Sequence, residues 1–265
     1  MRLQNKVILV TGSCSGIGHA IAARCVREGA RVILHGLESE LARGEAAVAE
    51  LGPEVAAVRV EDLTNEGCAE RLVAFSIDHF GRLDGVVNNA ALVATGQIAE
   101  TDLAYFRRML EINTLAPYAL IRAALPELQK NQGSILNIGS VNAWCGEPDL
   151  LPYSVSKGAL MTMTRNLGDV LLREAGVCVN QINPGWVLTE NENRRKLEQG
   201  LGADWERGLP KSMAPSGRIL RPAEIAEGAA YLLSDDSGPI SGQVIDLEQY
   251  PMIGRGAPKD GEALG

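Results

Sequence analysis

Residues 6–30 read KVILVTGSCSGIGHAIAARCVREGA. A short aliphatic, β-branched run ends at a glycine turn and passes into Ile17, Ala20, Ile21, Arg24, Cys25 and Glu28, which recur at helical spacing. The stretch is therefore a strand, a turn and a helix. In the turn TGSCSGIG (11–18), Gly12 permits a tight reversal, Gly16 lets a ligand approach the backbone and Gly18 allows the helix to pack closely on the sheet. The free N–H groups and positive end of such a helix attract a pyrophosphate. The glycine spacing is G-x3-G-x-G, distinct from the G-x-G-x-x-G of longer dinucleotide enzymes. No G-K-[S/T] follows, which argues against a nucleotide-hydrolysing loop.

The same alternation continues along the chain. Strand candidates lie at 31–36, 54–64, 83–91, 133–140, 176–185 and 242–248, and helix-compatible segments near 38–51 and 66–80 and a long one before 133 separate them. Seven strands of near-continuous apolarity between helices predict an α/β fold: a single-domain, doubly wound Rossmann-type arrangement, its seven-stranded parallel sheet covered by helices on both faces. Residues 1–249 form this domain. Residues 186–215, polar and punctuated by Gly and Pro, are expected to be a lid, and the Gly- and Pro-rich 250–265 a partly ordered tail.

Bulk properties narrow the function. The 265 residues are 46% hydrophobic and 22% charged, ordinary for a globular protein. A net charge of −8 argues against nucleic acid as partner. No apolar run reaches the length of a membrane span, and the N-terminus reads as a first strand and not a signal peptide. Five scattered cysteines without a C-x-x-C pair, and three histidines without metal-ligand spacing, predict reduced thiols, no metal and a cytoplasmic protein.

In PYSVSKGAL (152–160), Tyr153 stands four residues before Lys157, one helical turn apart. An ammonium group beside a phenol is either a solvated surface pair or a device that lowers the phenol's pKa from about 10 towards neutrality. Val155, Ala159, Met163, Leu167 and Val170 form the expected buried arc of this helix, with Tyr153 and Lys157 on its flank. Met161 and Leu172 fall away from that arc, which gives the helix either a second face to bury or an exposed apolar pair.

The chain resembles the short-chain dehydrogenase/reductase family from about residue 4 to residue 248. The resemblance rests on T-G-x3-G-x-G at 11–18, Asp62 after the third strand, N-N-A at Asn88–Ala90, Asn113 in EINTLAPY, Ser140 placed 13 residues before Tyr153, the Y-x3-K pair, and Pro184, Gly185 and Thr189 in P-G-x3-T. It implies NAD(P)(H)-dependent interconversion of a secondary alcohol and a ketone. Ser140 would donate to the substrate oxygen, Tyr153 would exchange its proton, Lys157 would tune Tyr153 and hold the nicotinamide ribose, and Asn113 would position a proton-relaying water. The cofactor would meet Gly12, Ser15, Gly16, Ile17 and Gly18 at the turn, Gly36 and Leu37 after the second strand, and Asp62, Leu63, Asn89 and Ala90 beyond. Pro184, Gly185, Val187 and Thr189 would line its nicotinamide end. Trp144, Glu147 and Trp186 flank the expected substrate pocket, and a homotetramer is implied.

Three features depart from the family pattern. Gly36 and Leu37 stand where an NAD-binding aspartate or an NADP-binding arginine is usual. Nearby Glu38 and Glu40 would repel a 2′-phosphate, which favours NAD, although His35 and Ser39 offer phosphate partners. Ala91 replaces the glycine after N-N-A, and DLEQY (246–250) replaces a glycine pair. The polar lid with Arg194, Arg195 and Lys196 suits a sugar, polyol or hydroxy acid. A 3-oxoacyl-thioester reductase and a non-catalytic dinucleotide-binding redox sensor are the alternatives.

Overall fold

The seven strands are β1 (Val7–Val10), β2 (Arg31–Gly36), β3 (Ala56–Val60), β4 (Gly85–Asn88), β5 (Ser134–Ile138), β6 (Cys178–Pro184) and β7 (Val244–Leu247). All pair in parallel, in the order β3-β2-β1-β4-β5-β6-β7. β1 and β4 are buried at every residue, as strands covered on both faces must be. The order reverses between β1 and β4, which opens a crevice beyond the carboxyl ends of the strands. The computed structural model describes residues 1–253. The expectation for the tail concerns mainly residues outside this range.

The helices are α1 (Gly16–Arg27), α2 (Leu41–Leu51), α3 (Cys68–Phe80), α4 (Leu103–Leu110), α5 (Ala116–Asn131), α6 (Asn142–Cys145), α7 (Leu151–Ala175), α8 (Glu190–Glu198) and α9 (Pro222–Leu233). α1, α2 and α9 cover one face of the sheet through a core that includes Ile21, Val32, Val87 and Ile225. α3, α5 and α7 cover the other through Leu72, Leu120, Leu128, Leu171 and Val179. No helix among the described residues is long and apolar enough to cross a membrane. All five cysteines are free.

The face that α7 buries differs from the expected arc. Val155 is 42% exposed, whereas Tyr153, Ser156, Lys157, Leu160, Met161, Thr164, Gly168 and Leu171 are buried. Hydrophobicity alone selects the wrong face because the true one carries polar residues whose hydrogen bonds are met inside. Ser156 Oγ accepts from Asn113 Nδ2 (3.0 Å), and Thr164 Oγ1 accepts from Asn137 Nδ2 (2.8 Å). Gly168 is there for contact: a Cβ on it would lie 2.2 Å from Gly242 N. Met161, expected to turn outward, is part of this interior.

Residues 186–215 are more ordered than their polarity suggests. They contain α8 and a 3₁₀ turn at Trp205–Arg207, and they help build a small core of Trp205, Ala214 and Ile219 with Trp186, Leu188 and Leu209 against it. The Trp186 and Trp205 rings pack with centroids 5.3 Å apart.

Candidate active site

The glycine turn forms one wall of the crevice. Gly12 and Gly16 both adopt φ of +60°, a left-handed conformation that favours glycine. A Cβ on Gly18 would lie 2.3 Å from Gly12 O, so the third glycine lets α1 start directly on the turn. Ser15 caps α1 with extended backbone and no side-chain capping bond, and no acidic residue stands in the first turn. The helix terminus is thus left to an external anion.

Two contiguous cavities occupy the crevice. The first, about 680 Å³, runs over the carboxyl ends of β1 to β3 and is lined by Gly12, Ser15, Gly16, Ile17, Gly36, Leu37, Asp62, Leu63, Asn89, Ala90 and Thr189, all expected from the sequence. The second, about 510 Å³, shares Ile17, Asn89 and Thr189 with it and reaches Ser140, Tyr153, Lys157, Pro184, Gly185 and Val187, with Glu147 and Trp186 on its wall. A long cleft with a helix terminus midway that no side chain caps fits an extended dinucleotide. Gly18 packs behind it.

Several of these residues do two things. Asp62 Oδ1 accepts from Thr64 N (2.9 Å) and its other oxygen from Arg108 Nη2 (2.8 Å). Burial opposes the charge, yet the hydrogen bonds from Thr64 and Arg108 hold the carboxyl below the ordinary range. Thr189 caps α8 by accepting from Glu192 N (3.1 Å) while also lining both cavities. His35 is unsuited to phosphate. Gly12 N donates to its Nδ1 (3.3 Å), its Nε2 pairs with Glu61 O (2.9 Å), and burial lowers its pKa, so the ring is neutral and fully partnered. Glu40 lines the adenosine end, where Leu37 N donates to its Oε2 (3.0 Å), and Glu38 does not reach the cleft. Sequence reading missed Arg43 and Arg108 at this end, which no local motif announces.

At the other end, Tyr153 and Ser140 are each 8% exposed and line the same cavity, where the Ser140 side chain favours the ionised phenol. Asn142 N donates to Ser140 Oγ (3.2 Å), a contact that leaves the Ser140 proton available to another acceptor. Lys157 Nζ donates to Ile138 O (2.7 Å) and lies 5.8 Å from the Tyr153 ring centre. Lys157 is not among the groups that shift Tyr153. Burial pushes Tyr153 up to about 12, against the Ser140 hydrogen bond and with the charge of Glu147, and burial pushes Lys157 down to about 7. Desolvation is the largest influence on both residues.

Asn113 sits in a π-helical turn, Glu111–Leu115, and is fully enclosed. Its Oδ1 accepts from Leu92 N (2.8 Å) and its Nδ2 donates to Leu92 O (3.0 Å), so the side chain pins the 89–93 segment to α7 and does not itself line the cleft. Trp144 turns away as well: its Nε1 donates to Asp246 Oδ1 (2.9 Å) with Arg165 stacked 4.9 Å from the ring centre. The three consecutive cations at 194–196 separate. Arg194 lies at the cofactor end, bonded to Asn191, whereas Arg195 and Lys196 line the second cavity. There Arg195 is paired with Glu192 (2.7 Å), and Lys196 lies over the Trp186 ring and donates to Gln199.

A parallel sheet with a glycine turn at its switch point and a Ser–Tyr–Lys cluster at the end of the same crevice defines a Rossmann-type, dinucleotide-dependent oxidoreductase. Residues 12–248 match the family model described as Enoyl-(Acyl carrier protein) reductase. The chain is 34% identical to 2-(S)-hydroxypropyl-CoM dehydrogenase 3 of Xanthobacter autotrophicus, over 93% of this chain and 96% of the relative. It is 37% identical to L-fucose dehydrogenase of Mus musculus (88% and 84%) and 32% identical to the NADP-dependent (R)-specific alcohol dehydrogenase of Lentilactobacillus kefiri (89% and 92%). A crystal structure of the short-chain dehydrogenase/reductase "Glucose/ribitol dehydrogenase" from Brucella melitensis superposes with a TM-score of 0.82 at 30% identity, covering 93% of this chain and 96% of that one. The chain belongs to the short-chain dehydrogenase/reductase family, as an NAD(P)(H)-dependent enzyme acting on CH–OH groups.

Proposed function

We propose that the chain interconverts a secondary alcohol and a ketone on a neutral, polyhydroxylated substrate, a sugar or polyol, with NAD as cofactor. The observation that carries this is the Ser140–Tyr153 hydroxyl pair on the floor of a cavity whose cations are already engaged. Arg195 is neutralised by Glu192 and Lys196 is held against Trp186, whereas Glu147 stands at the wall as an acceptor for substrate hydroxyls. A hydroxy acid would meet the carboxylates of Glu147, Glu192 and Glu248 here, where among the described residues Arg195 is already paired with Glu192. The names of an L-fucose dehydrogenase and a glucose/ribitol dehydrogenase among the similar proteins point the same way.

When bound, the dinucleotide supplies the hydride acceptor or donor and, oxidised, a positive charge. The α1 terminus with Ser15, Gly16 and Ile17 would hold its pyrophosphate, Gly36, Leu37, Asp62 and Leu63 its adenosine, and Lys157, Pro184, Gly185, Val187 and Thr189 its nicotinamide end. In alcohol oxidation Ser140 holds the substrate oxygen and Tyr153 takes the hydroxyl proton; in reduction both act in reverse. Asn113 keeps the 89–93 segment in register with α7. Preference for NAD rests on the Glu40 carboxylate at the adenosine end and on the neutral, fully partnered His35. Residues 186–215 act as the lid of the domain formed by 1–249, and the protein is a cytoplasmic homotetramer.

A second reading, 3-oxoacyl-thioester reductase, is favoured by the description of the matching family model. Steady-state assays of neutral sugars and polyols, hydroxy acids and acyl thioesters, each with NAD(H) and NADP(H), separate the two. The proposal expects kcat/KM at least ~10-fold higher for a neutral polyol with NAD than for any hydroxy acid or thioester. Best turnover of a 3-oxoacyl thioester with NADPH would replace it by the second reading.

A further inference from the structure

A chain of buried side-chain hydrogen bonds crosses the sheet beneath Ser140. Asn88 Nδ2 donates to Asn137 Oδ1 (2.8 Å) and Asn137 Nδ2 to Thr164 Oγ1 (2.8 Å). Thr164 Oγ1 lies 2.9 Å from Gln181 Oε1, and Gln181 Nε2 donates to Asn183 Oδ1 (2.7 Å). Asn183 Nδ2 then donates to Asp246 Oδ1 (2.9 Å), the same oxygen that accepts Trp144 Nε1 (2.9 Å). Asn137, Thr164, Gln181 and Asn183 are each fully buried. Apolar side chains would fill this interior without needing any of these partners, so the polar chain calls for a reason beyond packing.

The reason lies where the chain meets the cleft. Asn183 Oδ1 also accepts the backbone N–H of Ser140 (3.1 Å), two residues beyond the end of β5. The flanking amides take backbone partners instead: Gly139 N donates to Ile182 O (2.7 Å) and Val141 N to Pro184 O (3.2 Å). Asn183 thus supplies at Ser140 what a neighbouring strand cannot. Through Asp246 and Trp144 the same residue is tied to α6, whose first residue, Asn142, donates its N–H to Ser140 Oγ. Gly139 is matched to the arrangement, because a Cβ there would lie 2.1 Å from Asn183 Oδ1 and 2.2 Å from Gln181 Nε2.

We infer that Asn183, braced by Gln181 on one side and Asp246 on the other, is a positioning residue that sets the Ser140 hydroxyl against the phenol of Tyr153. The inference rests on the proposed role of Ser140. Because Asn183 acts through Ser140, its loss is felt only while the serine hydroxyl is present.

A double-mutant cycle tests this, with kcat measured on the best substrate from the panel and NADH affinity by fluorescence titration. Asn183→Leu is expected to lower kcat at least ~10-fold, with the NADH Kd within ~2-fold of wild type, and to change kcat by less than ~2-fold in a Ser140→Ala background. Asn183→Asp combined with Asp246→Asn keeps the acceptor for Ser140 N without setting two carboxylates together, and is expected to retain kcat within ~3-fold of wild type. If Asn183→Leu does not fold, Gly139→Ala displaces the same acceptor and takes its place in the cycle. An equal loss in both serine backgrounds, or no loss in either, overturns the inference while leaving the role of Ser140 intact. A Ser140→Ala variant as fast as wild type overturns that role and the inference with it.

Discussion

Lys157 is a buried amine whose one hydrogen-bond acceptor among the described residues is the carbonyl of Ile138, and its pKa is held down to about 7 by that burial. A folded-state pKa below the unfolded value means that the unfolded chain binds more protons between the two. Stability contributed through Lys157 therefore rises with pH from about 7 to about 10 and falls away as pH drops towards 7. Thermal unfolding of the ligand-free protein should show this as a difference between wild type and Lys157→Met that grows by at most roughly 1 kcal/mol per pH unit in wild type's favour. A difference independent of pH would mean that Lys157 is charged throughout. The difference matters because Cys14, Cys25 and Cys68, raised by burial, bend the alkaline side of either curve alone. At this scale the sequence disclosed which residues meet: Tyr153, Lys157 and Ser140 are spaced so that one helix and one strand end must bring them together. It did not disclose their protonation, because desolvation depends on residues far apart in the chain.

Among the elements, α7 carries the clearest lesson. A rule that counts apolar residues picks Val155 and its helical repeats, whereas the helix turns Ser156, Thr164 and Gly168 inward because partners on the Glu111–Leu115 turn, β5 and β6 and the close backbone at Gly242 await them. Such partners are invisible in the helix's own sequence. Gly168→Ala should therefore cost about 1–3 kcal/mol in urea unfolding, although Ala is the better helix former. Stabilisation by the substitution would show that α7 and the 240s loop are less closely packed than described. The glycine turn, by contrast, was legible residue by residue, since its chemistry is local: backbone reversal, close approach and helix start occupy eight consecutive positions. The lid lay between these cases. Its caps and charges were readable, but the Trp186–Trp205 contact joins residues whose approach only the folded segment creates.

For the whole molecule, strand count, parallel pairing and single-sheet architecture all followed from the alternation of apolar runs and helical segments, because right-handed crossovers leave few ways to connect them. Assembly is less directly written. Leu115 and Tyr118 at the start of α5 and Val155 on α7 are exposed at 56%, 47% and 42%. A homotetramer that covers them should sediment at about four times the 28.2 kDa chain mass. Leu115→Glu should shift it to smaller species, and a wild-type monomer would contradict the assembly. The most direct test of the enzymatic reading compares wild type with Tyr153→Phe for turnover of the best substrate, with NADH binding followed in the same preparations. A loss of at least ~10²-fold in kcat with NADH affinity unchanged is the predicted result, since under the proposed mechanism the phenol hydroxyl moves the proton and Phe keeps the ring. Turnover that survives the substitution would contradict the assignment of Tyr153 as the acid–base group.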